Sequence, residues 1–255
     1  MADTILPSSS TKADTSRRDR ETEEERKNKK RKMEPVTFSD PTAFVTLISG
    51  QGESETKFVI HKEVACRHSE VLKVAFESNF TEGQTQTYHF PESTKPALTF
   101  LMQYMYTQNL VVDILREDYK HGAYVTPAEH LTCAALFELW TLGDMLRIPK
   151  LQNVALASYD AVVKKTWKLP AVHAHEIYNR TSAGSMLRKY IVHMFVFKVG
   201  SVRFADNHIG GAFPNDLLMG MICYMKSDDY QKMSETQRKS FIPQASSFFV
   251  PEDES

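Results

Sequence analysis

The alternation between strand-like and helix-like hydrophobic patterns constrains the fold of this chain more than any other feature of its sequence. Three segments are rich in β-branched and aromatic residues and therefore predict strands: residues 43–49, 56–60 and 85–90. Residues 50–54 form a Gly-containing turn that joins the first two strands into a hairpin. Helical spacing of apolar residues at 64–76 follows the hairpin. Such a mixture, followed by helices alone, predicts an α+β fold.

Capping signals mark where several helices begin. Ser69 is a predicted N-cap between two short helices, and Thr126-Pro127-Ala128-Glu129 combines a capping box with a proline at the first helical position. In the helix predicted over 93–107, an apolar stripe is expected to be buried: Leu98, Leu101, Met102 and Met105. Residues 110–112 predict an additional short strand. Further helices are predicted at residues 151–163, 171–179, 185–198 and 216–225.

Composition divides the chain into four parts. Residues 1–35 hold 10 basic and 8 acidic residues and no aromatic residue, so we expect a disordered charged arm. Residues 36–160 contain the predicted sheet and its first helices, and residues 161–200 are predicted to be a helical extension. The pattern weakens over residues 201–255, where we expect a region that is partly disordered.

The charged arm contains two basic clusters separated by a spacer of about ten residues. The residues that define them are Arg17, Arg18, Lys29, Lys30, Arg31 and Lys32. This spacing is typical of a bipartite nuclear-import signal, in which an extended basic chain binds an acidic import carrier. The sequence therefore predicts a nuclear protein, or one shared between nucleus and cytoplasm. The alternative is a solvated mixed-charge tail, because Glu23-Glu24-Glu25 lies between the clusters.

The sequence contains few of the residue patterns that indicate catalysis or cofactor binding. Neither glycine-rich phosphate-binding pattern occurs, and the local run His173-Ala174-His175-Glu176 lacks the spacing of a metal site. The three cysteines, Cys66, Cys133 and Cys223, form no C-x-x-C pair. We therefore predict no enzyme, no cofactor and no metal. The net charge of −1 and the absence of a long apolar run predict neither sequence-specific nucleic-acid binding nor membrane insertion.

Several motifs between residues 38 and 160 together resemble the BTB/POZ domain. They are Ser39-Asp40, Phe58-x-x-His61-Lys62 with Ser69, Leu72 and Ala75-Phe76, and Leu139-x-x-Leu142-Gly143-Asp144. Residues 80–88 and Tyr104-Met105-Tyr106-Thr107 are similar to the fungal branch of that family, as is 178–181 in the extension. The resemblance implies a small β-sheet flanked by a cluster of helices, with a helical C-terminal extension.

The resemblance also implies protein–protein interaction and a homodimer. In dimeric members a buried acidic residue and a basic residue shape the interface, and Asp40 and Lys62 occupy the matching positions. With Phe44 of the apolar first strand they form the expected dimer interface. The alternative is that Asp40 and Lys62 are both simply exposed. Together with the predicted import signal, the resemblance favours a nuclear scaffold or a transcription-linked adaptor as the function.

A second function implied by the resemblance is substrate adaptor of a cullin-type ubiquitin ligase. Such adaptors carry an apolar-x-Glu motif in the helix that precedes the Tyr-Thr element, and the matching positions are Leu98 and Phe100. Phenylalanine therefore replaces the glutamate, which weakens the expectation of a cullin partner. Leu98, Phe100 and Tyr104 are the residues expected to contact a partner protein.

Overall fold

A computed structural model describes residues 38–166, 173–200 and 213–252 of the chain. The strands are β1 Phe44–Ser49, β2 Thr56–His61 and β3 Thr87–Phe90. The first helices are α1 Lys62–His68, α2 Glu70–Glu77, α3 Thr81–Thr85 and α4 Lys95–Thr107. The later helices are α5 Pro127–Met145, α6 Pro149–Thr166, α7 Ala174–Arg180, α8 Met186–Lys198, α9 Asn215–Met225, α10 Asp228–Gln231 and α11 Glu235–Ser240. This is the predicted α+β fold.

The three strands form one mixed sheet in the order β2-β1-β3. β1 is antiparallel to β2, with Phe44 opposite His61, and parallel to β3, with Thr46 opposite Thr87. Side chains alternate between the two faces of a strand, so Val45 and Leu47 point into the core, where both are buried. The hairpin was predicted from sequence, whereas the parallel pairing of β3 was not.

Ser69 separates α1 from α2, as the sequence predicts. Its side-chain oxygen accepts a hydrogen bond from the backbone N–H of Leu72 at 3.1 Å, which satisfies one of the unpaired donors at the start of α2. The same hydroxyl donates to the carbonyl oxygen of Leu146 at 2.8 Å. Ser69 therefore links the first helices to the turn between α5 and α6.

Helices α5 and α6 form the helical hairpin that packs against α4. The predicted capping box begins α5: Thr126 accepts from the backbone N–H of Glu129, whose carboxylate accepts from the N–H of Thr126 at 2.8 Å. Near the end of α5, Gly143 lets α6 approach closely, because a Cβ there would lie 2.8 Å from Cγ of Gln152. A larger residue at 143 would push the two helices apart.

Residues 213–252 are helical over much of their length and pack on the extension. Helix α9 packs against α8, and a single turn of 3-10 helix at Ala245–Phe248 contacts both α6 and α8. The described part of the predicted partly disordered region, 213–252, is therefore an ordered set of short helices. Residues 226–252 are mostly polar in composition, and short capped helices such as α10 and α11 need few apolar residues.

Two local predictions were wrong. Residues 110–112 do not form a strand; they lead into a 3-10 turn at Asp113–Leu115. The third strand begins at Thr87 rather than at residue 85, because residues Thr81–Thr85 form the short helix α3, which ends at Gln86 in a left-handed conformation (φ of 50°). The charged arm at 1–35, including the predicted import signal, lies outside the described residues.

Candidate interaction surface

An aromatic cluster lies where β1 begins and β2 ends. The rings of Phe44 and His61, which are paired across the strands, have centroids 4.5 Å apart. Tyr106, from α4, accepts a hydrogen bond from the backbone N–H of His61 at 3.2 Å, and its hydroxyl lies 2.8 Å from His61 Nδ1. The Tyr106 hydroxyl therefore contacts both the main chain and the ring of His61.

The cluster continues along β2 as an apolar patch on the sheet. Val59 lies two residues before His61 and therefore on the same face of β2 as the His61 side chain. Phe44 is 47% exposed and Val59 is 57% exposed, although both are large apolar side chains. We define the aromatic surface as Phe44, Val59, His61 and Tyr106. Adjacent exposed apolar side chains of this kind are a feature that protein interaction sites share.

The structure places the predicted interface residues Asp40 and Lys62 in separate interactions. The Asp40 carboxylate accepts hydrogen bonds from the Thr42 hydroxyl at 2.6 Å and from the Thr42 N–H at 3.0 Å. These bonds favour the charged form and lower the pKa of the Asp40 carboxyl. Lys62 Nζ instead donates to the backbone carbonyl of Phe76 at 3.2 Å. Within one chain, therefore, Asp40 is exposed and ionised, and Lys62 holds the end of α2.

Two of the three predicted partner-contact residues were assigned wrongly. Leu98 and Tyr104 are both fully buried, at 0% exposure, and belong to the core that α4 forms beneath the sheet. Burial raises the pKa of Tyr104 well above its usual range. The physical reason is helix phase: positions 98, 101, 104 and 105 share the face of α4 that points inward. Phe100 lies off that face and is half-buried, so it keeps some surface.

A buried glutamate orients α4 and was not identified from sequence. Glu138, on α5, accepts from the N–H of Thr94 at 2.6 Å and from the Thr94 hydroxyl at 2.7 Å, and Thr94 is the N-cap of α4. Arg180 on α7 lies 3.7 Å from the same carboxylate. Burial raises the pKa of Glu138, while the bonds from Thr94 and the charge of Arg180 oppose that shift. Glu138 thus ties α4, α5 and α7 together.

His173, from the histidine-rich run, is a structural residue in the core. It is 3% exposed, and its ring lies 4.2 Å from that of His130 and 5.3 Å from that of Phe137, measured between centroids. Among the described residues its Nε2 has no hydrogen-bond partner. Burial, with a smaller contribution from His130, lowers the pKa of His173 to about 4.

The described residues were also searched for metal sites and for membrane-spanning helices. Within residues 38–166, 173–200 and 213–252, no group of three or more potential ligand side chains is placed to hold a metal ion. In the same residues no helix is both long and apolar enough to cross a membrane.

The comparison with protein families covers the sheet and the helices as far as the end of α5. Residues 37–146 match the BTB/POZ domain, which spans β1 to the end of α5. The chain therefore contains a BTB/POZ domain, and BTB/POZ domains are modules of protein–protein interaction. A search of the curated proteins finds no match to this chain. The match ends at residue 146, so α6 and the helices that follow lie beyond it.

The members of the aromatic surface were only partly found from sequence. Phe44 was predicted at the interface, whereas Val59, His61 and Tyr106 were not. A signal for Val59 and His61 was present, because the period of two along β2 places both on one face once the hairpin register is known. Tyr106 is contributed by a helix 45 residues further along the chain, and no local pattern joins it to His61.

Proposed function

We propose that this BTB/POZ domain forms a homodimer through the aromatic surface and acts as a scaffold or transcription-linked adaptor in the nucleus. The observation that carries the dimer is the exposure of Phe44 and Val59 beside His61 and Tyr106. Two copies related by a twofold axis would bury the same patch on each subunit. Fully burying an exposed side chain of this size contributes about 1.5–3 kcal/mol, and Phe44 would supply the part that corresponds to its exposed 47%.

The polar residues at this end of the domain suit the rim of such an interface. Asp40 lies four residues before β1 with an ionised carboxylate whose two bonds from Thr42 fix its position. A fixed anion near an apolar patch sets the register and orientation of a partner more than it adds affinity. This supports Asp40 as an orienting residue and Phe44 as the apolar anchor.

The dimer is tested by light scattering of the full chain. We expect twice the monomer mass for the native sequence and the mass of one chain for Phe44→Glu, because a charge at the centre of the patch would be buried without a partner. Phe80→Glu is the matched control: Phe80 is 76% exposed and lies outside the aromatic surface, so this variant should remain dimeric. A monomeric native chain contradicts the proposal.

The nuclear location rests on the two basic clusters of the charged arm, Arg17-Arg18 and 29–32. A basic chain segment binds the acidic groove of an import carrier through its amines and guanidinium groups, with no need for a folded structure. The folded part then acts where its partners are, and the dimer presents two copies of every other surface. This doubling is what a scaffold uses to bring two partners together.

The cullin-adaptor alternative receives less support. Leu98 and Tyr104 are buried, which leaves Phe100 as the member of that predicted set with exposed surface. Binding of the full chain to a purified cullin N-terminal domain tests it. Affinity in the micromolar range or better that Phe100→Ala reduces would establish the alternative, and no binding at that concentration would remove it.

A further inference from the structure

Residues 244–252, here called the bound segment, lie along one face of α6. At one end, Gln244 Oε1 accepts a hydrogen bond from Lys164 Nζ at 3.3 Å. At the other end, Val250 pairs with Asn153. Asn153 and Lys164 are eleven residues apart, which is three turns of helix, so they share a face. The bound segment runs in the direction opposite to α6.

Asn153 holds the bound segment by its main chain. The backbone N–H of Val250 donates to Asn153 Oδ1 at 2.7 Å, and Asn153 Nδ2 donates to the carbonyl oxygen of Val250 at 3.0 Å. The same Nδ2 also donates to Glu252 Oε1 at 3.1 Å. A side-chain amide that pairs with both backbone groups of one residue can bind that residue whatever its side chain, provided that it has a backbone N–H.

Phe248 supplies the apolar anchor. Its side chain is buried, and its ring meets those of Tyr190 and His193 on α8 edge to face, with centroids 5.6 Å and 4.8 Å apart. Offset and edge-to-face arrangements at these distances are the favourable ones for aromatic rings. The bound segment therefore contributes at alternate positions: an aromatic ring at 248, a main-chain pair at 250 and a carboxylate at 252.

The walls of this groove are held by contacts of their own. Asp160 accepts from the Tyr190 hydroxyl at 2.9 Å and from Lys164 Nζ at 2.7 Å, which joins α8 to α6 beneath the bound segment. Burial and the nearby Asp160 raise the pKa of Tyr190 far above its usual range, so its hydroxyl remains the donor. These bonds link the two walls of the groove to each other without a contribution from the bound segment.

We propose that the groove between α6 and α8 is a peptide-binding site for a short segment of a partner protein. The segment has an aromatic residue at the end of a tight turn, any residue but proline paired with Asn153 two positions later, and an acidic residue two positions after that. The bound segment of this chain is its intramolecular occupant. The site lies beyond residue 146, outside the part that matches the BTB/POZ domain, and it does not depend on the aromatic surface or on a dimer.

An intramolecular occupant regulates such a site by competition. A tethered segment has an effective concentration on the order of millimolar, so an external peptide must displace it before binding. Weakening the bound segment therefore raises the affinity for an external peptide without changing the groove. A partner that presents two copies of the segment gains most from a dimeric chain.

The experiment uses the full chain and a fluorescent synthetic peptide with the sequence of residues 243–252. Phe248→Ala removes the anchor of the bound segment while leaving the groove intact. We expect the peptide to bind this variant at least tenfold more tightly than it binds the native chain. Adding Asn153→Ala to Phe248→Ala should weaken that binding at least tenfold, because the main-chain pair is lost.

Equal or weaker peptide binding by a folded Phe248→Ala variant would overturn the proposal, as would binding that Asn153→Ala leaves unchanged. Circular dichroism establishes whether each variant is folded. If Phe248→Ala unfolds, Val250→Pro takes its place, because proline lacks the N–H that donates to Asn153 and leaves Phe248 in the chain. The same tenfold criterion then applies to Val250→Pro.

Discussion

Ser69 and Leu146 are joined by a hydrogen bond of 2.8 Å, from the serine hydroxyl to the leucine carbonyl oxygen, across 77 residues of sequence. The serine is buried and also caps α2 through the N–H of Leu72. One hydroxyl thus serves as acceptor for a nearby helix and as donor to the turn between α5 and α6. The position couples the two halves of the BTB/POZ domain.

Replacing Ser69 with alanine tests that coupling. We expect Ser69→Ala to lower the free energy of unfolding by about 1–3 kcal/mol, because the cap of α2 is lost and a buried carbonyl loses its donor. Chemical denaturation measures the change. Ser240→Ala is the matched control, since the Ser240 hydroxyl is exposed at the end of α11 and should change stability by less than about 0.5 kcal/mol. Equal effects at the two positions would contradict the assignment.

Buried His173 makes stability depend on pH in the acid range. The pKa of His173 in the folded chain is about 4, below the 6.5 of an ordinary histidine, so between these values only the unfolded chain takes up the proton. Stability from this group is complete above pH 6.5 and is lost as the pH falls toward 4. The loss amounts to at most about 3 kcal/mol.

Urea unfolding at pH 7 and pH 5 measures this dependence. His173→Phe should reduce the difference between the two pH values, because phenylalanine keeps the ring contacts with His130 and Phe137 and takes up no proton. His89→Phe alters an exposed histidine and should leave the difference as in the native chain. Comparing the variants also cancels the contribution of Glu138 to the pH dependence of stability. That contribution has the opposite sign, because the pKa of Glu138 is raised.

Glu138 offers a test of how α4 is positioned. Removing its carboxylate leaves the N–H and hydroxyl of Thr94 without their buried acceptor and weakens the charge balance of Arg180. We expect Glu138→Ala to cost about 2–4 kcal/mol of unfolding free energy. The exposed pair of Glu235 and Lys239 is the comparison, and Glu235→Ala should cost less than about 1 kcal/mol. A small effect at Glu138 would show that Thr94 finds another acceptor.

The charged arm is tested in cells. A fluorescent fusion too large to enter the nucleus by diffusion should move to the cytoplasm when Lys29, Lys30, Arg31 and Lys32 are replaced by serine. The reason is the loss of the cations that bind the import carrier. As a control, serine replaces four exposed lysines elsewhere in the chain: Lys57, Lys95, Lys232 and Lys239. This control removes the same charge and should leave the fusion in the nucleus. Continued nuclear accumulation after the first change would rule out this signal.

The sequence predicted the features that depend on neighbouring residues, but it did not predict contacts between distant parts of the chain. Ser69 and the capping box at Thr126 were predicted correctly because each depends on residues three positions apart. Leu98 was predicted both in a buried stripe and at a partner contact. The geometry of α4 confirms burial at Leu98, Leu101 and Met105, whereas Met102 is half-buried. The pairing of Asn153 with Val250 spans 97 residues and involves backbone atoms, which no residue pattern encodes.

The mixed sheet has a consequence for the order in which the nascent chain can fold. The central strand β1 is the first to leave the ribosome, and β2 joins it after a short turn. The other edge of β1 has no partner until β3 has been synthesised about forty residues later, because that pairing is parallel and needs a long connection. During that interval the inward side chains Val45 and Leu47 lack partners that bury them in the complete fold, so the incomplete chain exposes apolar surface.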